Sequence, residues 1–386
     1  MHRWRPILTF LLVVAAAPPL AAPDATWQRT REEAPLAGTT VRETRWTAVR
    51  PPEGPYDKVQ VHRYRGRGPQ QAALLYLPGT TMNGQVAVAD EDHNLWLFLA
   101  QRGVEVFTLD YRSHFLPTAG LADFGFLRGW GHDAFLGDIR AAAELARRES
   151  GRDRLFVGGF SRGVTLGYLY AASEPARVAG LIALDGFLKS HAPRNAYDAD
   201  AESEKLRAGS GWAYDVAAGF GWERRQQLMD AAAARPEAPA LDPKYPTVGT
   251  QVADILYKAW RPGGLANPIG GYSRPQTLAR LLAGYDRYYP AVQDVEGRSI
   301  ADRPDDPRTP LDDAWGELTI PVLYFGATGM GADWLLDGIH SAAHSGATDV
   351  TLHVLEGYGH LDVIVGEKAS RDVFEPTLAW IRERSK

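Results

Sequence analysis

The chain has 386 residues, 45% of them hydrophobic, a formal net charge of −5 and no cysteine. Without cysteine there is no disulfide framework, no thiol nucleophile and no thiolate metal site, and a charge this close to neutral gives no electrostatic footprint for nucleic acid. The length exceeds what one hydrophobic core usually holds, so one large domain with a sizeable elaboration is expected.

Residues Met1 to Ala22 carry His2, Arg3 and Arg5, then an uncharged run from Ile7 to Ala17, then Pro18-Pro19-Leu20-Ala21-Ala22. This is the pattern of a secretory signal peptide, and its apolar part is too short for a stable membrane span. Removal near Ala22 and export, to a periplasm or the medium, are expected. With no cysteine, a lipobox anchor is excluded.

Thr39 to Arg50 and Lys58 to Tyr64 alternate roughly between apolar and polar residues around Pro51-Pro52-Glu53-Gly54-Pro55, which predicts two antiparallel strands and a turn. Ala72 to Leu77 is a continuous apolar run closed by Pro78-Gly79-Thr80-Thr81 and reads as a buried strand. A helix is expected over Glu91 to Arg102, a strand over Val104 to Leu109 and a helix over Asp133 to Glu149. A strand over Arg154 to Gly158, a helix over Val164 to Ser173 and a strand over Val178 to Leu184 complete the first half. This rhythm predicts an α/β fold, a mostly parallel sheet with helices on both faces, whose sites lie at the carboxyl ends of the strands. Thr80, Asp110, Ser161 and Asp185 all fall at such ends.

From Phe187 to Trp315 the rhythm stops. A segment this long is not expected to be a structureless loop, and it reads as a largely helical cap. Its aromatic residues, Trp212, Trp222, Tyr257, Trp260, Tyr272, Tyr285, Tyr288 and Tyr289, suit a small core of the cap or a substrate pocket wall. Asp302, Asp305, Asp306, Asp312 and Asp313 read as a solvated acidic linker, since the spacing of a calcium loop is absent. Strands resume at Ile320 to Phe325 and Val350 to Leu355, each followed by a helix.

Ser161 lies in Gly159-Phe160-Ser161-Arg162-Gly163, the G-x-S-x-G spacing that lifts a serine onto a sharp strand-to-helix turn. That motif alone is common by chance. It gains weight from Gly357-Tyr358-Gly359-His360 after the last strand, because a serine needs an imidazole to take its proton.

With serine, acid and histidine in that order, the chain resembles the α/β-hydrolases over 38–186 and 316–386, with 187–315 as a cap insertion and 1–22 as the signal peptide. The resemblance implies Ser161 as nucleophile, His360 as general base and a carboxylate that holds the far ring nitrogen. Asp333, after the next-to-last strand, is the first choice for that acid. It lies seven residues beyond Gly326 rather than the usual three or so, and would otherwise be a plain helix cap, so Asp337 and Asp185 stand as alternatives. The oxyanion hole implied is the N–H of Arg162 with that of Thr80, or Thr81, although Pro78-Gly79 replaces the His-Gly of many relatives.

Other candidates are weaker. His340 and His344 have helical i, i+4 spacing but lack the glutamate of a zinc-protease helix, so no metal and no cofactor is expected. His132 reads as the start of a helix, and Asp110 as a brace for the loop near the site. The function expected is an exported serine hydrolase that cleaves a carboxylic ester, small-molecule or lipid-like, through an acyl-serine intermediate. The alternatives are a peptidase or amidase, in which Glu223 or Asp230 of the cap would meet a substrate ammonium, and a non-catalytic binding protein on the same fold.

Overall fold

Continuous apolar runs form the middle of the sheet, and the alternating ones form its antiparallel flank. The computed structural model describes residues 25–192, 198–209, 211–260, 272–302 and 310–385. The expected signal peptide and Asp305 and Asp306 lie outside these residues.

The chain opens with three antiparallel strands, β1 (Gln28–Pro35), β2 (Arg42–Val49) and β3 (Lys58–Arg65). β4 (Ala72–Leu77) is buried at every position and leads to α1 (Leu95–Gln101). The start of α1 is fixed by Asn94, whose Oδ1 accepts from the N–H groups of Trp96 and Leu97 at 2.9 and 3.2 Å. β5 (Val104–Asp110), α2 (His132–Ser150), β6 (Leu155–Phe160), α3 (Arg162–Ser173) and β7 (Val178–Leu184) continue the alternation. α2 ends at Gly151, whose left-handed φ of 67° closes the helix without a Cβ clash.

Between β7 and β10 the chain leaves the sheet. It forms α4 (Ala199–Gly209), β8 (Ala213–Asp215), α5 (Trp222–Ala234), α6 (Val248–Trp260), α7 (Pro275–Ala283), β9 (Tyr288–Pro290) and α8 (Ala291–Asp302). It then returns as β10 (Val322–Ala327), α9 (Ala332–Ala343), β11 (Val350–Leu355), α10 (Asp362–Val365) and α11 (Glu375–Arg384).

The nine-stranded sheet has the order β1-β2-β3-β5-β4-β6-β7-β10-β11, parallel from β5 to β11, while β8 and β9 form a separate two-stranded ribbon. Alternate residues of β4 sort to its two faces. Leu74 and Tyr76 pack with residues of α1 and α11, and Ala73, Leu75 and Leu77 with those of α2 and α3. Each fully buried side chain of this size contributes about 1.5–3 kcal/mol. Buried residues of α5, α6 and α7, such as Leu228, Val252 and Leu278, join the α1 side, so the insertion shares a core with the sheet.

The structure departs from the sequence reading in several places. β1 reads Gln-Arg-Thr-Arg-Glu-Glu-Ala-Pro, mostly exposed, and gives no apolar alternation. The helix expected over Glu91 to Arg102 breaks at Asn94 into a 3-10 turn (Glu91–His93) and α1, because Asn94 caps the second piece. Asp312 is not a solvated linker residue. It is buried and takes a hydrogen bond from the buried Lys189 ammonium, which also donates to Ile300 O at 2.8 Å.

Candidate active site

The strand order reverses across β4, which has β5 on one side and β6 on the other, and this leaves a crevice at the carboxyl ends of β4 and β6. Ser161 follows β6 there with φ 54° and ψ −121°, a conformation a non-glycine residue holds only when its surroundings enforce it. Its flanking glycines explain how. A Cβ on Gly159 would run into the Gly163 carbonyl, and one on Gly163 into the Leu77 carbonyl, both far inside van der Waals contact. Among the described residues only four non-glycine positions have positive φ, and three of them, Thr81, Ser161 and Asp185, follow β4, β6 and β7. Strain is concentrated at one edge of the sheet.

His360, on the turn after β11, is nearly buried. Its ring stacks on Phe160, the residue before Ser161, at 4.5 Å between centroids, and meets the Trp334 ring edge-on at 5.5 Å. Its Nδ1 lies 2.6 Å from Asp185 Oδ2. Asp185 is wholly buried, and its other oxygen accepts from the Ala327 N–H at 2.8 Å while its own N–H donates to Phe325 O at 2.7 Å. An ionised carboxylate can only accept, so Nδ1 carries the proton and Nε2 is left as the basic nitrogen.

The carboxylate that meets His360 is therefore Asp185 and not Asp333. Asp333 lies in the first turn of α9, exposed to solvent, where a negative charge suits the helix N-terminus. Asp337, one turn further, is buried but accepts from the N–H and Nδ1 of His191 at 2.8 and 2.7 Å. Sequence could not separate these three because all follow strands of the parallel sheet. Which one meets His360 depends on β7 lying next to β10, a pairing made across the whole insertion.

Arg162 opens α3, so its N–H is among those a helix N-terminus leaves unpaired within the helix. Thr80 lines the cavity beside Ser161, whereas Thr81 is buried beneath it with φ 60°. Gly79 permits the approach of this loop, since a Cβ there would meet Phe160 O at 3.1 Å and Ser161 Cβ at 3.2 Å. The loop is held from behind. The Asp286 N–H donates to Thr81 O at 2.7 Å, and Asn83 Nδ2 donates to Gly284 O and Asp286 Oδ1 at 2.8 and 3.0 Å.

Asp110 braces the same loop, with Oδ1 accepting from the Gly84 N–H at 2.7 Å and Oδ2 2.9 Å from His62 Nε2. Burial opposes its ionisation, yet the His62 imidazole outweighs this and holds its pKa at about 2. His62 Nδ1 in turn lies 2.7 Å from Glu43, also held at about 2 against burial by His62 and Arg45.

The cavity at Ser161 has a volume of about 540 Å3. Its aromatic wall is Phe187 and Trp334, outside the aromatic set expected from the insertion, and α8 supplies Asp294, Gly297, Arg298 and Asp302. Tyr285, Tyr288 and Tyr289 are instead buried in the core, and the side chains of Tyr257 and Trp260 lie outside the described residues. Glu223 and Asp230, on α5, are exposed and do not line the cavity. His132 does begin α2 and is buried, with Nδ1 2.9 Å from Glu296 Oε2. His340 and His344 stack at 4.3 Å, and among the described residues no three His, Asp or Glu side chains converge as metal ligands. No helix among the described residues is long and apolar enough to cross a membrane.

Sheet order, strained elbow and the paired carboxylate and imidazole together define the fold as that of the α/β-hydrolases. Among solved structures, the chain is similar to a protein of Sulfolobus solfataricus provisionally named a lipase, at 26% identity and a TM-score of 0.76, over 93% of this chain and 99% of that one. It is also similar to the monoacylglycerol lipase of Paleococcus ferrophilus (15% identity, TM-score 0.49, 84% of this chain and 99% of that one). A third is brefeldin A esterase, a bacterial homologue of human hormone sensitive lipase (16% identity, TM-score 0.48, 92% and 80%). No protein-family model and no curated protein matches the sequence.

Proposed function

We propose that the protein is a serine hydrolase that cleaves a carboxylic ester through an acyl-serine intermediate. The observation that carries this reading is the contact between His360 Nδ1 and Asp185 Oδ2, 2.6 Å, on a ring stacked against the residue before Ser161. In the mechanism, Nε2 of His360 takes the Ser161 hydroxyl proton as Oγ attacks the ester carbonyl, and returns it to the leaving alcohol. Asp185 fixes the tautomer and stabilises the imidazolium. The N–H groups of Arg162 and Thr80 receive the oxyanion, each such donor contributing about 3 kcal/mol in the transition state. Water then attacks the acyl-serine by the same proton path. The insertion between β7 and β10 acts as a cap, because its helix α8 supplies part of the cavity wall.

Turnover of a panel of 4-nitrophenyl esters, set beside aminoacyl anilides, tests the reaction class. Ester turnover that disappears in Ser161→Ala supports the reading; anilide turnover without ester turnover replaces it with a peptidase. Export is proposed from the N-terminal sequence pattern. The N-terminal residue of protein recovered outside the cytoplasm tests it, and an intact Met1 there contradicts a cleaved signal.

A further inference from the structure

We propose that Asp286, in the insertion, is a positioning residue for the reaction, holding Thr81 in a left-handed conformation that aims the neighbouring Thr80 N–H at the oxyanion; this rests on the hydrolase reading above. Thr81 is buried and stands at φ 60°, a conformation that a β-branched residue adopts only when its surroundings impose it.

The surroundings that impose it are few. The Thr81 hydroxyl donates to Thr80 O at 2.7 Å, and the Met82 N–H donates to Gly79 O at 3.1 Å, but both bonds lie within the loop and travel with it. The Asp286 N–H donates to Thr81 O at 2.7 Å. Among the described residues this is the one hydrogen bond that reaches Thr80 or Thr81 from outside the loop.

Asp286 is itself seated from two sides. Its Oδ1 accepts from Asn83 Nδ2 at 3.0 Å, and Asn83 Nδ2 also donates to Gly284 O at 2.8 Å. The same Oδ1 lies 2.7 Å from His114 Nδ1, and His114 Nε2 lies 2.9 Å from Gln85 Nε2. The backbones approach closely here, since a Cβ on Gly284 would stand 3.1 Å from Ala87 Cβ. One carboxylate oxygen thus ties the insertion to the loop after β4 and to the turn after β5. Without that seat the Asp286 N–H leaves Thr81 O, Thr81 relaxes toward an ordinary conformation, and the change passes to the Thr80 backbone beside it. An oxyanion donor acts on charge that develops only in the transition state, so its displacement lowers kcat and spares ground-state binding. The insertion thereby completes the oxyanion hole as well as walling the cavity.

Asp286→Ala and Asn83→Ala each cut this brace. Asp286→Asn keeps Oδ1 and breaks no hydrogen bond, because Asp286 Oδ2 is buried without a partner among the described residues. Ester turnover is measured per active site, titrated with a fluorophosphonate, beside inhibition by 1,1,1-trifluorohexan-2-one, whose adduct with a serine carries an oxyanion. In both alanine variants kcat is expected to fall about tenfold to a hundredfold and the ketone to bind more weakly by a similar factor, with KM within about twofold of the parent. Asp286→Asn is expected to stay within about threefold of the parent on all three. A purely structural role would instead lower the active fraction and the Tm, leaving kcat per site and the ketone affinity in place. Unchanged kcat and ketone affinity in the alanine variants, a rise in KM alone, or an Asp286→Asn as impaired as Asp286→Ala overturns the inference while the hydrolase reading stands. Where Asp286→Ala fails to fold, Asn83→Ala decides by the same criteria. A parent protein that turns over no ester removes the hydrolase reading and the inference with it.

Discussion

Asp185 and His360 stand 175 residues apart and meet at 2.6 Å, the carboxylate at the end of β7 and the imidazole after β11, with β10 between them. The strand between them supplies the Ala327 N–H that holds the second carboxylate oxygen, so the acid is oriented before the histidine reaches it. Removing the charge while keeping the shape isolates that role. Asp185→Asn is expected to lower kcat on an ester about 10³–10⁴-fold, because the wrong tautomer is then favoured. Asp333→Asn, at an exposed helix start, is expected to stay within about twofold of the parent, and steady-state kinetics of the two variants compares them.

The elbow depends on two absent side chains. Gly163→Ala forces a methyl group into the Leu77 carbonyl, and Gly159→Ala into the Gly163 carbonyl. Overpacking of this kind costs about 1–3 kcal/mol or more, and it displaces Ser161 from its strained conformation. Both variants are expected to lose ester turnover and to unfold at lower urea concentration than Ser161→Ala, which retains the glycines.

A charged pair fastens the insertion to the turn after β5, and the same aspartate holds the loop after β4. His114 Nδ1 lies 2.7 Å from Asp286 Oδ1, and the Asp286 N–H holds Thr81 O. Burial depresses the His114 imidazole, but hydrogen bonding to Asp286 and the charge of Asp110 outweigh it and raise its pKa to about 9. A histidine raised in the folded state contributes stability that is fully present below its unfolded value of about 6.5 and lost as pH rises through about 9. The parent is expected to lose a few degrees of Tm between pH 7.5 and 10. His114→Gln should start lower and show a smaller drop, which thermal unfolding at the two pH values reads.

Glu43, His62 and Asp110 form a buried row under the same loop. Asp110→Asn leaves the His62 charge with Glu43 as its one remaining carboxylate in this row and is expected to cost about 1–3 kcal/mol at pH 7. Both carboxylates are held at about 2, below their unfolded values, so their contribution is present above about pH 4 and lost as pH falls toward 2. The difference between parent and variant in urea unfolding should therefore narrow between pH 7 and pH 3.

Much of the fold was legible because apolar runs such as Ala72–Leu77 and Val322–Ala327 must be buried on both faces, and their spacing required helices between them. Ser161 and His360 carried local signals, a glycine-flanked serine and a histidine on the turn after the last strand. The acid carried none. Asp185, Asp333 and Asp337 have similar neighbourhoods in sequence, and only the adjacency of β7 and β10 brings the first to His360. The β1 edge strand was invisible because its exposed polar residues bury no periodic face. Of the two roles open to the aromatics of the insertion, a small core or a pocket wall, three take the first. The aromatics of the insertion, Tyr285, Tyr288 and Tyr289, were spent on packing, and the wall facing Ser161 was left to charged residues of α8 and to Trp334.

The nucleophilic standing of Ser161 is the claim on which the mechanism rests. Intact-mass measurement after exposure to a fluorophosphonate probe tests it most directly. The account predicts one adduct on the parent protein, mapped to Ser161, and none on Ser161→Ala. A parent protein that stays unmodified, or a Ser161→Ala variant that reacts equally, would contradict it.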